Sequence, residues 1–175
     1  MRAWFAILTA VNPLAVAAAI GPPKRTVVLA VAAILTWALA FVGAVASRPV
    51  LDALDVTPET FRIAAGIVLV IVGVRWVAIS AGRVADGGAE GWGQLLVPYL
   101  VPVLVTPHLA MVSISTGADE GVIVVTAAAG VSLALALAAA AVRARTVVVD
   151  AGVRLVGAVA IAVALSLVVD GVRAI

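Results

Sequence analysis

The chain of 175 residues contains no cysteine. That excludes a disulfide framework, a thiolate nucleophile and a cysteine-ligated metal. Charge is almost as scarce. Eleven Lys and Arg and nine Asp and Glu make 11% of the chain, against about 25% in soluble domains. There is one His and one Tyr, and aromatic residues are 5% of the total. A soluble domain of this size buries roughly 70% of its surface and covers the rest with charge. So few ionised groups cannot coat such an exterior. What is abundant is apolar: 65% of the residues, mostly Ala, Val, Leu and Ile, for a mean hydropathy of +1.29. The composition is that of an integral membrane protein, with lipid as its outer solvent. The net charge of +2 and a pI near 9.9 would suit nucleic acid. The basic residues, however, sit singly between apolar runs and form no patch, so nucleic acid is not an expected partner.

A bilayer core of about 30 Å needs about 20 apolar residues in a helix. Six segments meet that length: 3–20, 26–46, 60–80, 94–115, 121–142 and 151–172. Breakers separate them: Gly21-Pro22-Pro23, Arg48-Pro49 to Thr57-Pro58, Asp86-Gly87-Gly88, Gly117 to Gly121, and Arg143 to Asp150. No linker is long enough to hold a soluble domain, so residues 1–175 read as a single transmembrane domain. Runs of this length without alternation argue against a β-barrel. Arg2, the following apolar stretch and Ala17-Ala18-Ala19 imitate a signal peptide. Asn12-Pro13 inside that stretch points instead to a retained first helix.

Six spans place both termini on one side. That side carries Arg2, Arg48, Arg62 and Arg173 among the acids Asp52, Asp55, Glu59, Asp119, Glu120 and Asp170. The other carries Lys24, Arg25, Arg75, Arg83, Arg143, Arg145 and Arg154 with only Asp86, Glu90 and Asp150. The excess of basic residues assigns the second side to the cytoplasm and both termini to the opposite face.

Spans one and four share an interruption. The first holds Asn12-Pro13; the fourth holds Pro98, Pro102 and Thr106-Pro107. An interior proline removes one helical hydrogen bond and clashes with the preceding turn. In lipid the freed carbonyls must find a side chain, a water or a ligand. The interruptions lie 94 residues apart, and a second correspondence runs at 92: Phe61-Arg62-Ile63-Ala64-Ala65-Gly66 opens span three, and Val153-Arg154-Leu155-Val156-Gly157 opens span six. Spans one to three therefore resemble spans four to six, as repeats of about 1–83 and about 92–175. With an odd number of spans per half, the halves point in opposite directions. The fold class expected is all-α: a polytopic bundle of six transmembrane helices in two inverted three-helix repeats, with the first and fourth helices broken. Matching broken helices mark the midplane site of many secondary transporters. A half-helix that starts at Pro13 or Pro107 offers unpaired N–H groups and the positive end of its dipole, which suits an anionic or zwitterionic solute. Asn12 and Thr106 precede those prolines and suit the N-cap role. The substrate-binding residues expected are Asn12, Pro13, Thr106, Pro107 and His108.

These residues resemble the MarC family of six-span inner-membrane proteins, also called the neutral amino acid transporter family, within the wider group related to lysine exporters. The likeness rests on Asn12-Pro13, on Phe61 to Gly66, on the Pro98, Pro102 and Thr106-Pro107 series, and on the Asp170-Gly171 ending of span six. It implies a multi-pass protein of the cell inner (plasma) membrane that moves small neutral amino acids such as glycine, alanine or serine. Where the family follows its Asn-Pro with Gly and a second Pro, this chain has Leu14-Ala15-Val16. Where the family carries Gly-Pro-Gly in span four, this chain reads Thr106-Pro107-His108. Both departures fall in the expected site.

His108 is the single histidine and lies within a span, where an ionisable group is expensive and points to function. Two roles stand open: carrying a coupling proton, or tying two helices together as a neutral ring. All nine acids sit at span ends or in loops, which disfavours hard divalent cations and leaves no metal site expected. No cofactor is expected, and H⁺ or Na⁺ remains open as the coupling ion. Gly66 and Gly73, seven residues apart, read as a close-packing face, and the Ala-rich fifth span reads the same way. Arg62 and Arg154 read as anchors at span ends. Ser113 and Ser115 lie five and seven residues beyond His108, off the close helical spacing, so no serine–base pair and no enzyme is expected. The partners expected are a small-molecule solute and membrane lipid, with a homo-oligomer left open. The rival readings are a non-transporting scaffold or assembly factor, and an exporter of ions or other small metabolites from the lysine-exporter-like group.

Overall fold

Helix termination chemistry divides the chain. The computed structural model describes residues 2–20, 26–79, 106–141 and 146–175. Among them are eight helices: α1 (Arg2–Val11), α2 (Pro13–Ile20), α3 (Thr26–Val45), α4 (Ser47–Ala53), α5 (Pro58–Ala78), α6 (Pro107–Glu120), α7 (Val122–Ala141) and α8 (Thr146–Ala174). No strand occurs among the described residues. Thr57 starts α5 by accepting a hydrogen bond from the Thr60 N–H at 3.3 Å, with Pro58 as the first helical residue. Gly121 ends α6 at φ 89°, a conformation open to glycine without steric cost.

Among the described residues, three helices are long and apolar enough to cross a membrane: Pro58–Ala78, Val122–Ala140 and Val147–Ala174. A fourth span arises if α3 is joined to α4, which turns from it by 58°. Only 22–33% of the apolar stretch of the three long helices is buried inside the bundle. The outward remainder includes Ile67, Ile71, Ile123, Leu155 and Leu165. An apolar exterior of that extent is what lipid requires and water penalises. The chain is an all-helical membrane protein.

Contacts between helix ends give the direction of each helix. Arg2 at the start of α1 is paired with Asp170 near the end of α8. The Ala3 N–H donates to Glu120 Oε1 at the end of α6 at 3.3 Å. Arg62 near the start of α5 holds Asp119 of α6 with two N–H groups, at 2.8 and 2.5 Å. These charges share one end of the bundle, called here the near end. Arg154 of α8, bonded to Asp150 at 3.1 Å and to the Val77 carbonyl at 3.4 Å, marks the far end. α1, α5 and α7 run from near to far, and α3, α6 and α8 return. Arg2, Arg62, Asp119, Glu120 and Asp170, which charge counting assigned to one side, share the near end.

α5 and α8 form the most extensive pair. They are antiparallel, and every seventh position is small. A methyl group added at Gly66 would lie 2.9 Å from the Ala164 carbonyl oxygen; at Gly73, 2.9 Å from that of Gly157; at Gly171, 2.9 Å from that of Glu59. The two backbones thus touch along their length, as close packing of small residues allows in lipid. α7 buries Val125, Ala128, Ala129, Leu133 and Ala136 against α1, α2 and α3.

The described residues differ from the sequence reading in three boundaries. α8 begins at Thr146, so the later part of the expected Arg143 to Asp150 break is helical. Gly117 does not break α6, which runs on to Glu120. Its missing side chain serves packing instead: a methyl group there would sit 2.6 Å from the Ala44 Cα of α3. The expected loop from Arg48 to Thr57 begins with a helix, α4, anchored by buried Leu51. Of the expected fourth span, only its second part is described, as α6; Pro98 and Pro102 lie outside the described residues.

Candidate functional site at the meeting of two helix breaks

Pro13 has no N–H to offer the Thr9 carbonyl one turn back. The residue before a proline is also driven out of the right-handed helical region. Asn12 answers both constraints by adopting φ 42°, a left-handed conformation that Asn tolerates better than most residues. Its own N–H still bonds the Leu8 carbonyl at 3.0 Å, and its carbonyl accepts from Val16 at 3.1 Å. The side-chain Oδ1 accepts from the Ala15 N–H at 3.1 Å. Asn12 therefore closes α1 and caps α2, as the sequence led one to expect of it.

α6 begins at the other proline pair, after Thr106 in extended conformation. By the helical rise of about 1.5 Å per residue, Asn12 lies about 15 Å and Thr106 about 20 Å from the near end. Both are deep within a hydrocarbon core of about 30 Å. There the α1–α2 break meets the start of α6. His108 Nε2 lies 2.9 Å from the carbonyl oxygen of Ala10. A carbonyl only accepts, so Nε2 carries the proton and donates it. The ring thus satisfies a carbonyl in the turn that precedes Pro13. The Trp76 indole of α5 stands edge-on to the imidazole, with ring centres 5.7 Å apart at 81°.

The five residues singled out in the sequence are not equivalent in place. Asn12, Pro13 and His108 are buried, Thr106 is half-buried and Pro107 is exposed. Thr106 does not cap α6. Its Oγ1 stands 3.2 Å from His108 Nε2 instead, so its hydroxyl belongs to the contact between the two breaks. The Nδ2 of Asn12 is fully buried and has no hydrogen-bond partner among the described residues. Leaving a buried donor unpaired costs about 1–3 kcal/mol. The other buried hydroxyls mostly bond their own helix: Thr9 to Phe5, Thr36 to Ala32 and Ser132 to Ala128. Ser113 is the exception, buried without a partner on the α6 face that meets Gly43 of α3.

Sequence reasoning missed Trp76 and the Ala10 carbonyl. Trp76 carries no motif signal. Ala10 has no polar side chain, and only its distance of three residues from Pro13 could have marked it.

Nothing in the comparisons names this constellation: the chain matches no family model, no curated protein and no solved structure.

Proposed function

We propose that this membrane protein is a secondary transporter of a small neutral solute, a neutral amino acid of the glycine, alanine and serine class, working by alternating access. One observation carries the reading. One helix is broken at Asn12-Pro13, a second helix begins 94 residues further on at Thr106-Pro107, and the two meet deep in an apolar bundle beside a fully buried amide donor without a partner among the described residues. Broken helices that converge at depth hold the solute in many transporters, and a structural scaffold has no use for such a junction. The antiparallel course of α5 and α8 supports two inverted repeats of three spans each, since inversion sets spans three and six head to tail. The resemblance to the MarC family supports the choice of solute. We place both termini outside the cytoplasm on the charge asymmetry between the two ends.

The test is flux of labelled glycine, alanine and serine in proteoliposomes, with and without a pH gradient. Uptake or efflux above that of empty vesicles is expected for at least one of them. No flux of any small neutral solute would overturn the reading. Unchanged flux after Asn12→Ala combined with Thr106→Ala would move the site elsewhere.

A further inference from the structure

The cap at Asn12 decides which half of its amide is free. Only Oδ1 can accept from the Ala15 N–H, so the NH₂ group is the half left over, fully buried and unpaired. The neighbouring side chains differ in what they have left to give. His108 Nε2–H is given to the Ala10 carbonyl. Thr106 Oγ1 beside it caps nothing and keeps its own O–H to give. Both α2 and α6 begin here, and each presents the positive end of its dipole. The described acids that flank these helices, Glu59, Asp119, Glu120 and Asp170, are gathered at the near end, and Asp150 lies at the far end.

We propose that this junction is a carboxylate site: it binds the carboxylate of the transported solute, with Asn12 Nδ2 as the dedicated donor, and needs no amine for binding. The inference rests on the transport reading and narrows it. A small monocarboxylate such as propionate occupies the same place as alanine. Ethylamine, which brings a cation and no acceptor, does not. The same donors and dipoles repel Na⁺, so a coupling sodium ion does not sit at this junction.

The experiment is isothermal titration of the purified full chain in lipid nanodiscs at pH 8 with alanine, propionate and ethylamine. Propionate is expected to bind within about tenfold of alanine, with no heat from ethylamine. Two variants remove the donor in different ways. Asn12→Asp keeps a capping oxygen, and Asn12→Gly keeps the freedom to adopt φ 42°. Both are expected to weaken alanine and propionate at least tenfold. Ethylamine binding as tightly as propionate overturns the proposal without recourse to any variant. So does wild-type affinity for propionate in a folded variant. If alanine crosses proteoliposomes but propionate neither binds nor competes, the carboxylate site falls and the transport reading stands. If propionate binds through Asn12 and no amino acid crosses, the transport reading falls and the site stands.

Discussion

Along the α5–α8 seam, small residues at Gly66, Gly73, Gly157, Ala164 and Gly171 let two unbroken helices press backbone against backbone. At the Asn12 junction one helix is interrupted and another begins, and side chains rather than backbones bridge them. The seam spends nothing polar and leaves nothing unsatisfied. The junction concentrates an amide, an imidazole and a hydroxyl in the same apolar bundle and leaves one donor without a partner. Both devices answer one constraint, that lipid offers no hydrogen bonds. The seam keeps every helical bond within its own helix. The junction gives some up and replaces them through tertiary contacts. A seam of packed backbones and a polar junction thus stand side by side, joined where Trp76 of α5 meets His108.

Breaking the seam has the largest expected effect. In Gly73→Leu the new side chain meets the Gly157 carbonyl at 2.9 Å and Ile161 Cγ1 at 2.8 Å. The helices must separate, at a cost of about 3 kcal/mol. Thermal unfolding in detergent should show a clearly lowered melting temperature. A wild-type midpoint would mean that the seam is looser than its geometry. Breaking the bridge at the junction comes next. His108→Leu leaves the Ala10 carbonyl buried and unpaired, which costs about 2 kcal/mol. His108→Gln keeps a donor and should recover more than half of that loss in the same melt. Equal losses in both variants would show that packing, not the hydrogen bond, holds the breaks together. The smallest effect is expected at Asn12. Asn12→Gly gives up a cap worth a few tenths of a kcal/mol relative to Gly and also removes the unpaired donor. Its melting temperature should stay close to wild type or rise, even as solute flux is lost. A large destabilisation there would make Asn12 a structural residue like the seam glycines.

Much of this was legible beforehand, for identifiable reasons. Asn12-Pro13 and Thr106-Pro107 announce breaks because proline lacks an N–H wherever it stands. Gly66 and Gly73 announce a contact face because seven residues bring a helix nearly back to the same side. Thr106 was expected to cap α6 as Asn12 caps α2. It does not: its hydroxyl lies 3.2 Å from the His108 ring two residues on, a local side-chain partner in place of the backbone N–H. Gly117 looked like a helix end, but Ala44 lies against it, and a glycine packed on a neighbouring helix stays helical.

By itself, then, the sequence determined the solvent, the helical class, the break at Asn12-Pro13 and the helix start at Pro107. These follow from apolar content, run length and the covalent chemistry of proline, which need no partner to act. Only the tertiary structure decided that the α1–α2 break meets the start of α6, that the Ala10 carbonyl accepts a hydrogen bond from His108, and that one Asn12 donor is left over. Those outcomes depend on which atoms lie within about 3 Å of one another, and residues 94 or more apart in the chain acquire such distances only when the helices pack.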